Sequence, residues 1–236
     1  MEITLYESPL RIELRNNTLF VNGKQHPRAV RKTNDLLKTL ATEDAGGNLD
    51  IYYMFRNICT CDDIRFDITV IPAGEIGTEF PKTFGHHHPK STSGVDYPEV
   101  YQVLHGKAFF ILQKKNQNKS VDVVLIDAKE KDILIIPPGY GHVSINNGTE
   151  DLVLSNLVYD KFSSIYDSHN ENKGAAYYYL RDGEIKQNTN YIVHKNEHIT
   201  AREWTKRYEF SCNDLLVEFY ENPKKFAFLV KPEILF

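Results

Sequence analysis

Val, Ile, Tyr and Phe recur along the chain in short runs bounded by Gly, Pro, Asn and Asp, the pattern of β-strands separated by turns. Leu10 to Leu14, Thr18 to Val21, Asp50 to Phe55 and Ile64 to Ile71 are the early strands. From Glu99 to Val158 the pattern predicts an antiparallel meander of Val100 to Gln113, Val121 to Ala128, Asp132 to Ile136, His142 to Ile145 and Leu152 to Tyr159. KKNQNKS and NNGTED supply its polar hairpin turns. One helix interrupts the strands: Thr33 or Asn34 can cap Asp35 to Ala41, whose leucines at 36, 37 and 40 share a face that packs outside the sheets. Beyond about Glu184 the pattern changes. Thr200 to Tyr208 and Asn213 to Tyr220 are helical candidates, and Phe226 to Val230 reads as a last strand. No internal repeat or low-complexity tract is present.

The whole reads as mainly β with a few peripheral helices, and composition fits one domain with an appendage. In 236 residues, 41% are hydrophobic and 25% charged, enough for a substantial core. The formal net charge is -4 and the basic residues are scattered, so neither nucleic acid nor an anionic membrane is expected as a partner; a small molecule is. No stretch approaches a bilayer span, and MEITLYESPLRIEL has charges where a signal peptide needs an apolar core, which predicts a cytoplasmic protein. Cys59, Cys61 and Cys212 form no disulfide framework and read as small core or edge residues.

The chemistry lies in two clusters. In Gly85-His86-His87-His88, strand alternation turns His86 and His88 to one side and His87 to the other. After ten intervening residues comes Glu99, and after six more Gly106; Glu99 and Tyr101 share a face. In Pro137-Pro138-Gly139-Tyr140-Gly141-His142 a Pro-Gly turn delivers one His to the start of a strand. Three imidazoles and a carboxylate suit one divalent Fe, Mn, Zn or Ni ion and leave coordination positions open. The plainer reading of three consecutive histidines, a solvated turn, does not explain Glu99 and the second cluster. His105, His169, His194 and His198 read as structural or surface residues.

Both clusters resemble the two metal-binding motifs of the cupin superfamily, and RFDITVIPAGEIGTEFPKTFGHHH, EVYQVLHGKAFFILQ, IIPPGYGH and NLVYDKFSSIYDS are similar to the cupin-type glucose-6-phosphate isomerases of archaea and some bacteria. The likeness is close over residues 64–168 and loose over the N-terminal third. It implies a jelly-roll barrel, the double-stranded β-helix, in residues 1–183, and a homodimer; the segment 184–236 has no placed counterpart in the family, and its apolar FAFLV, Leu215, Leu216 and Phe219 predict that it docks on the barrel or on the partner subunit, because ~50 residues bury too little alone. It implies His86, His88, Glu99 and His142 as metal ligands, and Thr69, Thr83, Gly85, Tyr101, Tyr159 and Tyr166 around a sugar phosphate. Between Phe66 and Gly106 the only cations are Lys82, Lys90 and any charged His, so a phosphate there leans on neutral donors. The chain departs from the family in the longer loop PKSTSGVDYP between His88 and Glu99, in Lys131 where the second motif usually has Gly, and in Ile165 near the place of a family His.

The implied reaction is reversible conversion of glucose 6-phosphate and fructose 6-phosphate. Either Glu99 shuttles a proton between C1 and C2, as both ligand and base, or a hydride shifts without a protein base. Two other classes use the same residues: an Fe(II) dioxygenase, which consumes oxygen, and a cupin that binds phosphosugars without converting them.

Overall fold

The structure, a computed structural model, describes residues 1–42, 45 and 47–235. Strand dominates it, as expected. A small antiparallel sheet at the N-terminus joins β1 (Glu2–Tyr6), β2 (Ile12–Arg15), β3 (Thr18–Val21) and β4 (Lys24–Gln25). The barrel strands follow: β5 (Ala29–Lys32), β6 (Asp50–Cys61), β7 (Ile64–Ile71), β8 (Glu99–His105), β9 (Lys107–Lys115), β10 (Val121–Lys129), β11 (Ile133–Ile136), β12 (Tyr140–Ile145) and β13 (Leu152–Tyr159). The hairpin of β14 (Tyr177–Tyr179) and β15 (Ile185–Gln187) precedes β16 (Val193–Thr200).

These strands do not form a meander. They divide between a six-stranded sheet in the order β11-β8-β13-β7-β6-β5 and a four-stranded sheet in the order β12-β9-β10-β16. The run from Val100 to Gln113 breaks at Gly106, where φ is +82° and a Cβ would meet the Asp151 carbonyl oxygen at 2.8 Å. That turn carries the chain from one sheet to the other, which local hydrophobicity does not reveal. KKNQNKS is a true hairpin between β9 and β10, whereas NNGTED crosses between sheets. Lys131 sits at φ +70°, the left-handed conformation that a glycine takes at no cost.

Each sheet is covered on both faces, which is why strands such as Ile133–Ile136 are apolar at every position. Tyr101, Val103, Phe110, Leu112 and Ile126 fill the space between the sheets. The outer face of the six-stranded sheet, with Phe55, Phe66, Ile68 and Leu157, packs against Leu14 and Leu19 of the N-terminal sheet and against Leu215, Leu216, Phe219 and Phe226.

The C-terminal segment differs from its pattern in two places. Phe226 to Val230 is not a strand: Pro223–Leu229 forms a 3-10 helix that buries Phe226, Phe228 and Leu229 on the sheet. Pro223 at the start, with its fixed φ, favours the tight turn over an extended run. Val193–Thr200, polar and exposed, pairs in parallel with β10 as an added edge strand that hydrophobicity gives no sign of. The helix near residue 35 is shorter and earlier than expected, α1 (Thr33–Leu36) with a 3-10 turn at Leu37–Thr39. The Asp35 carboxylate accepts the Lys32 N-H there, in place of a Thr33 or Asn34 cap. After α2 (Asp167–Glu171), the remaining helices α3 (Ala201–Lys206) and α4 (Leu215–Glu221) lie where the sequence puts them, capped by Thr200 and Asp214. No described helix is long and apolar enough to cross a membrane.

Candidate metal centre and its pocket

The four motif residues come from three places in the fold. Glu99 opens β8, His142 lies in β12 of the opposite sheet, and His86 and His88 lie on an extended segment whose His86 pairs with His142 through two backbone hydrogen bonds of 3.2 and 3.0 Å. Gly85 makes this approach possible. Its φ is +85°, and a Cβ there would meet Val143 Cγ2 at 2.6 Å and the His169 ring at 2.7 Å.

One ligand atom from each of His86, His88, Glu99 and His142 lies within 4.8 Å of the others. Nε2 of His86 and His88 are 3.2 Å apart, and Glu99 Oε2 stands 3.3 Å from His88 Nε2 and 3.2 Å from His142 Nε2. That Oε2 is buried and has no hydrogen-bond partner among the described residues. Its sister Oε1 accepts from Asn156 Nδ2 at 2.7 Å, and Nδ1 of His88 is tied to the Tyr97 carbonyl at 2.9 Å. Burial lowers the His86 pKa far below the usual imidazole value, helped by His142 and His88, and burial likewise lowers His142. Burial pushes Glu99 up, but the imidazoles of His142 and His88 more than offset it and keep the carboxyl well below its usual range. Three imidazoles beside a carboxylate with an unpartnered buried oxygen are the donor set of a divalent transition metal, so the residues fit such an ion.

His87 lies on the other side of its segment, as alternation requires. Its ring packs over Gly141 and 5.3 Å from His169, outside the four-residue cluster. His169 is fully buried, while His194 and His198 pair at the surface with Asp122 and Asp127. His105 contacts Glu130.

A pocket opens beside the cluster, floored by one face of the six-stranded sheet. Strand alternation brings Tyr52, Met54 and Arg56 of β6 and Arg65, Asp67 and Thr69 of β7 to this face. Glu99, Tyr101 and Asn156 continue it, and Phe162, Ser164 and Tyr166 complete the lining. Thr83 and Gly85 line the pocket too, as does Thr69; the Thr83 hydroxyl oxygen accepts from Ser144 N at 3.0 Å. Tyr101 brings its hydroxyl to 3.3 Å from His142 Nε2, and Tyr166 stands edge-on to Phe84 and 5.8 Å from the His86 ring. Tyr159 is set apart from these, beyond the pocket lining, with its ring stacked 4.6 Å from Tyr97. The loop 89–98 folds back through a Lys90–Asp96 bridge and supplies the Tyr97 carbonyl that orients His88.

Cations reach the pocket from just outside the Phe66–Gly106 window. Arg65 Nε donates to Asp67 Oδ2 at 2.8 Å, and Arg56 Nη1 lies 3.6 Å from the same oxygen. Burial raises the Asp67 pKa, with Arg65 opposing it. Lys82, inside the window, is turned away onto Glu79 and the Thr39 carbonyl. Sequence reasoning missed Arg56, Arg65, Asp67 and Asn156. The signal for three of them was a polar residue inside an apolar strand: Arg65 and Asp67 alternate with Phe66 and Ile68, and Asn156 interrupts LVLSNLVY.

A family model described as glucose-6-phosphate isomerase matches residues 30–196. The chain is 27% identical over 156 residues to a glucose-6-phosphate isomerase of Thermococcus litoralis, covering 63% of this chain and 77% of that one. It is 26% identical over 188 residues to that of Thermococcus gammatolerans, covering 77% and 94%. A protein of the same name from Sinorhizobium medicae is 34% identical over 92 residues, 39% of each chain.

Proposed function

The chain belongs to the glucose-6-phosphate isomerase family, and from that premise we propose that it interconverts glucose 6-phosphate and fructose 6-phosphate at one divalent metal held by His86, His88, Glu99 and His142. The observation that carries this reading is the buried Glu99 Oε2, unpartnered and facing two imidazoles, at the edge of a pocket. Bound there, the ion supplies Lewis-acid stabilisation for negative charge on the sugar oxygens.

The protein's own groups bind and orient the substrate. Thr69, Thr83, Gly85, Tyr101 and Tyr166 offer hydroxyl and backbone donors to the sugar phosphate, and Tyr159 supports Phe162 and Tyr97 beside them. As base, Glu99 moves the proton between C1 and C2, with the Asn156 amide holding its carboxylate plane. A second reading, the hydride shift, draws support from the same bond: Glu99 Oε1 is engaged by Asn156 and Oε2 faces the imidazoles, so the carboxylate is well set as a ligand and less free as a base.

The test of the mechanism is turnover of fructose 6-phosphate in deuterated water. Solvent deuterium at C2 of the glucose 6-phosphate product supports Glu99 as the base, and its complete absence supports the hydride shift. Oxygen uptake by the iron-loaded protein without sugar turnover would replace the isomerase reading with a dioxygenase.

A further inference from the structure

Two parts of the chain that set it apart from its family meet each other. One is the long loop 89–98; the other is the 3-10 turn Pro232–Ile234, far beyond residue 196, where the family match ends. At the loop tip the Ser93 hydroxyl donates to Glu233 Oε2 at 3.0 Å. Ser91 Oγ lies 2.8 Å from Ser93 Oγ and accepts from Ser93 N at 3.2 Å, which fixes the donor in place.

The loop is otherwise tied to itself. Ser91 N donates to the Val95 carbonyl at 2.8 Å, Gly94 N to that of Ser91 at 3.0 Å, Lys90 Nζ to that of Gly94 at 3.0 Å and Tyr97 N to that of Pro89 at 3.1 Å. Among the described residues, the Ser93–Glu233 bond is the one hydrogen bond that joins residues 90–96 to another part of the chain. Its far end is anchored. Pro232 is buried, and Val230 and Leu235 pack against the core on the outer face of the six-stranded sheet.

What the loop spans gives that bond its consequence. The residues flanking it are His88 and Glu99, whose Nε2 and Oε2 stand 3.3 Å apart. Within it, the Tyr97 carbonyl accepts from His88 Nδ1, and the Tyr97 ring stacks 5.3 Å from Phe162, whose own ring lies 4.6 Å from that of His88. A closed loop therefore holds His88 by its edge and its face, and a loop that opens releases both.

We propose that the Pro232–Ile234 turn clamps the 89–98 loop through Glu233 and Ser93, and that these two positioning residues set the affinity of the site for its metal by holding His88 and Glu99 at their spacing. The inference rests on the metal reading of the four-residue cluster. One exposed hydrogen bond adds little to global stability, but a loop that is closed for only part of the time weakens the apparent affinity in proportion to that fraction.

The experiment measures Mn and Zn affinity by competition with a chelator, and hydrogen exchange over residues 89–98 in the metal-free protein. It compares the wild type with Ser93→Ala, Glu233→Ala, Glu233→Gln and the double variant Ser93→Ala/Glu233→Ala. Each single Ala variant is expected to exchange faster across the loop and to bind metal about 3- to 10-fold more weakly, with the melting of the metal-free protein unchanged. The double variant should be no weaker than either single, because both remove the same bond. Glu233→Gln, whose amide oxygen still accepts from Ser93, should stay close to wild type. Metal affinity equal in wild type and both Ala variants overturns the clamp, and so do losses that add in the double variant. A wild type that binds neither ion overturns the metal reading and the clamp's role together, so the two failures are told apart by the wild type alone.

Discussion

The two faces of β7 divide its residues between different tasks. Outward, Phe66, Ile68 and Val70 are fully buried against the N-terminal sheet and the C-terminal helices. Inward, Arg65, Asp67 and Thr69 face the pocket. One strand therefore holds the molecule together with one set of alternate side chains and lines the pocket with the other. Substitutions on the outer face should cost stability and spare the site, and those on the inner face should do the reverse.

Removing what covers the outer face is the strongest way to test that division. Truncation after Gly183 strips away β16, α3, α4 and the 3-10 turn that buries Phe226 and Leu229, and it should give insoluble protein; a soluble, equally heat-stable product contradicts the account. Phe66→Ala, a single change on the same face, should lower stability by about 3–5 kcal/mol in denaturant melts while the folded fraction keeps its full metal content. On the inner face, His86→Ala, His88→Ala and His142→Ala should each lose most of the metal by elemental analysis, with melting little changed once metal is removed from all samples. Asn156→Ala touches no ligand atom directly but frees Glu99 Oε1, and about a 10- to 100-fold loss of metal affinity is expected in competition with a chelator. The smallest effect belongs to His87→Ala, whose ring lies over Gly141 away from the cluster; its metal content should match wild type, and a fall as deep as that of His88→Ala overturns the face assignment.

The sequence carried the inner face unevenly. His86, His88, Glu99 and His142 were legible because a metal demands particular atoms at particular spacings, and the structure draws these four together across two sheets. Thr69, Thr83, Gly85, Tyr101 and Tyr166 were reached through family resemblance, and they line or edge the pocket. Tyr159 falls outside the lining because it is odd in the alternation in which Asn156 and Val158 are even. The guanidinium pair was hidden for a different reason: Arg56 and Arg65 lie on the paired strands β6 and β7, but Arg56 falls in the irregularity between Phe55 and Cys59, so regular hairpin register does not show that both reach Asp67. Topology shows the same limit. Strand positions were readable from hydrophobic runs, but their division into two sheets depends on Gly106 and on pairing between distant strands, and the Val193–Thr200 strand is held by backbone bonds that leave no mark on composition.

The central claim is that one metal at His86, His88, Glu99 and His142 supports hexose phosphate isomerisation, and the direct measurement is glucose 6-phosphate formed from fructose 6-phosphate by chelator-stripped and metal-reloaded protein, read through an NADP-dependent dehydrogenase. The account predicts that stripped protein is inactive and that activity returns as Mn, Fe, Zn or Ni is added, saturating near one ion per chain. Turnover that is indifferent to stripping, or none with any of the four metals, contradicts it.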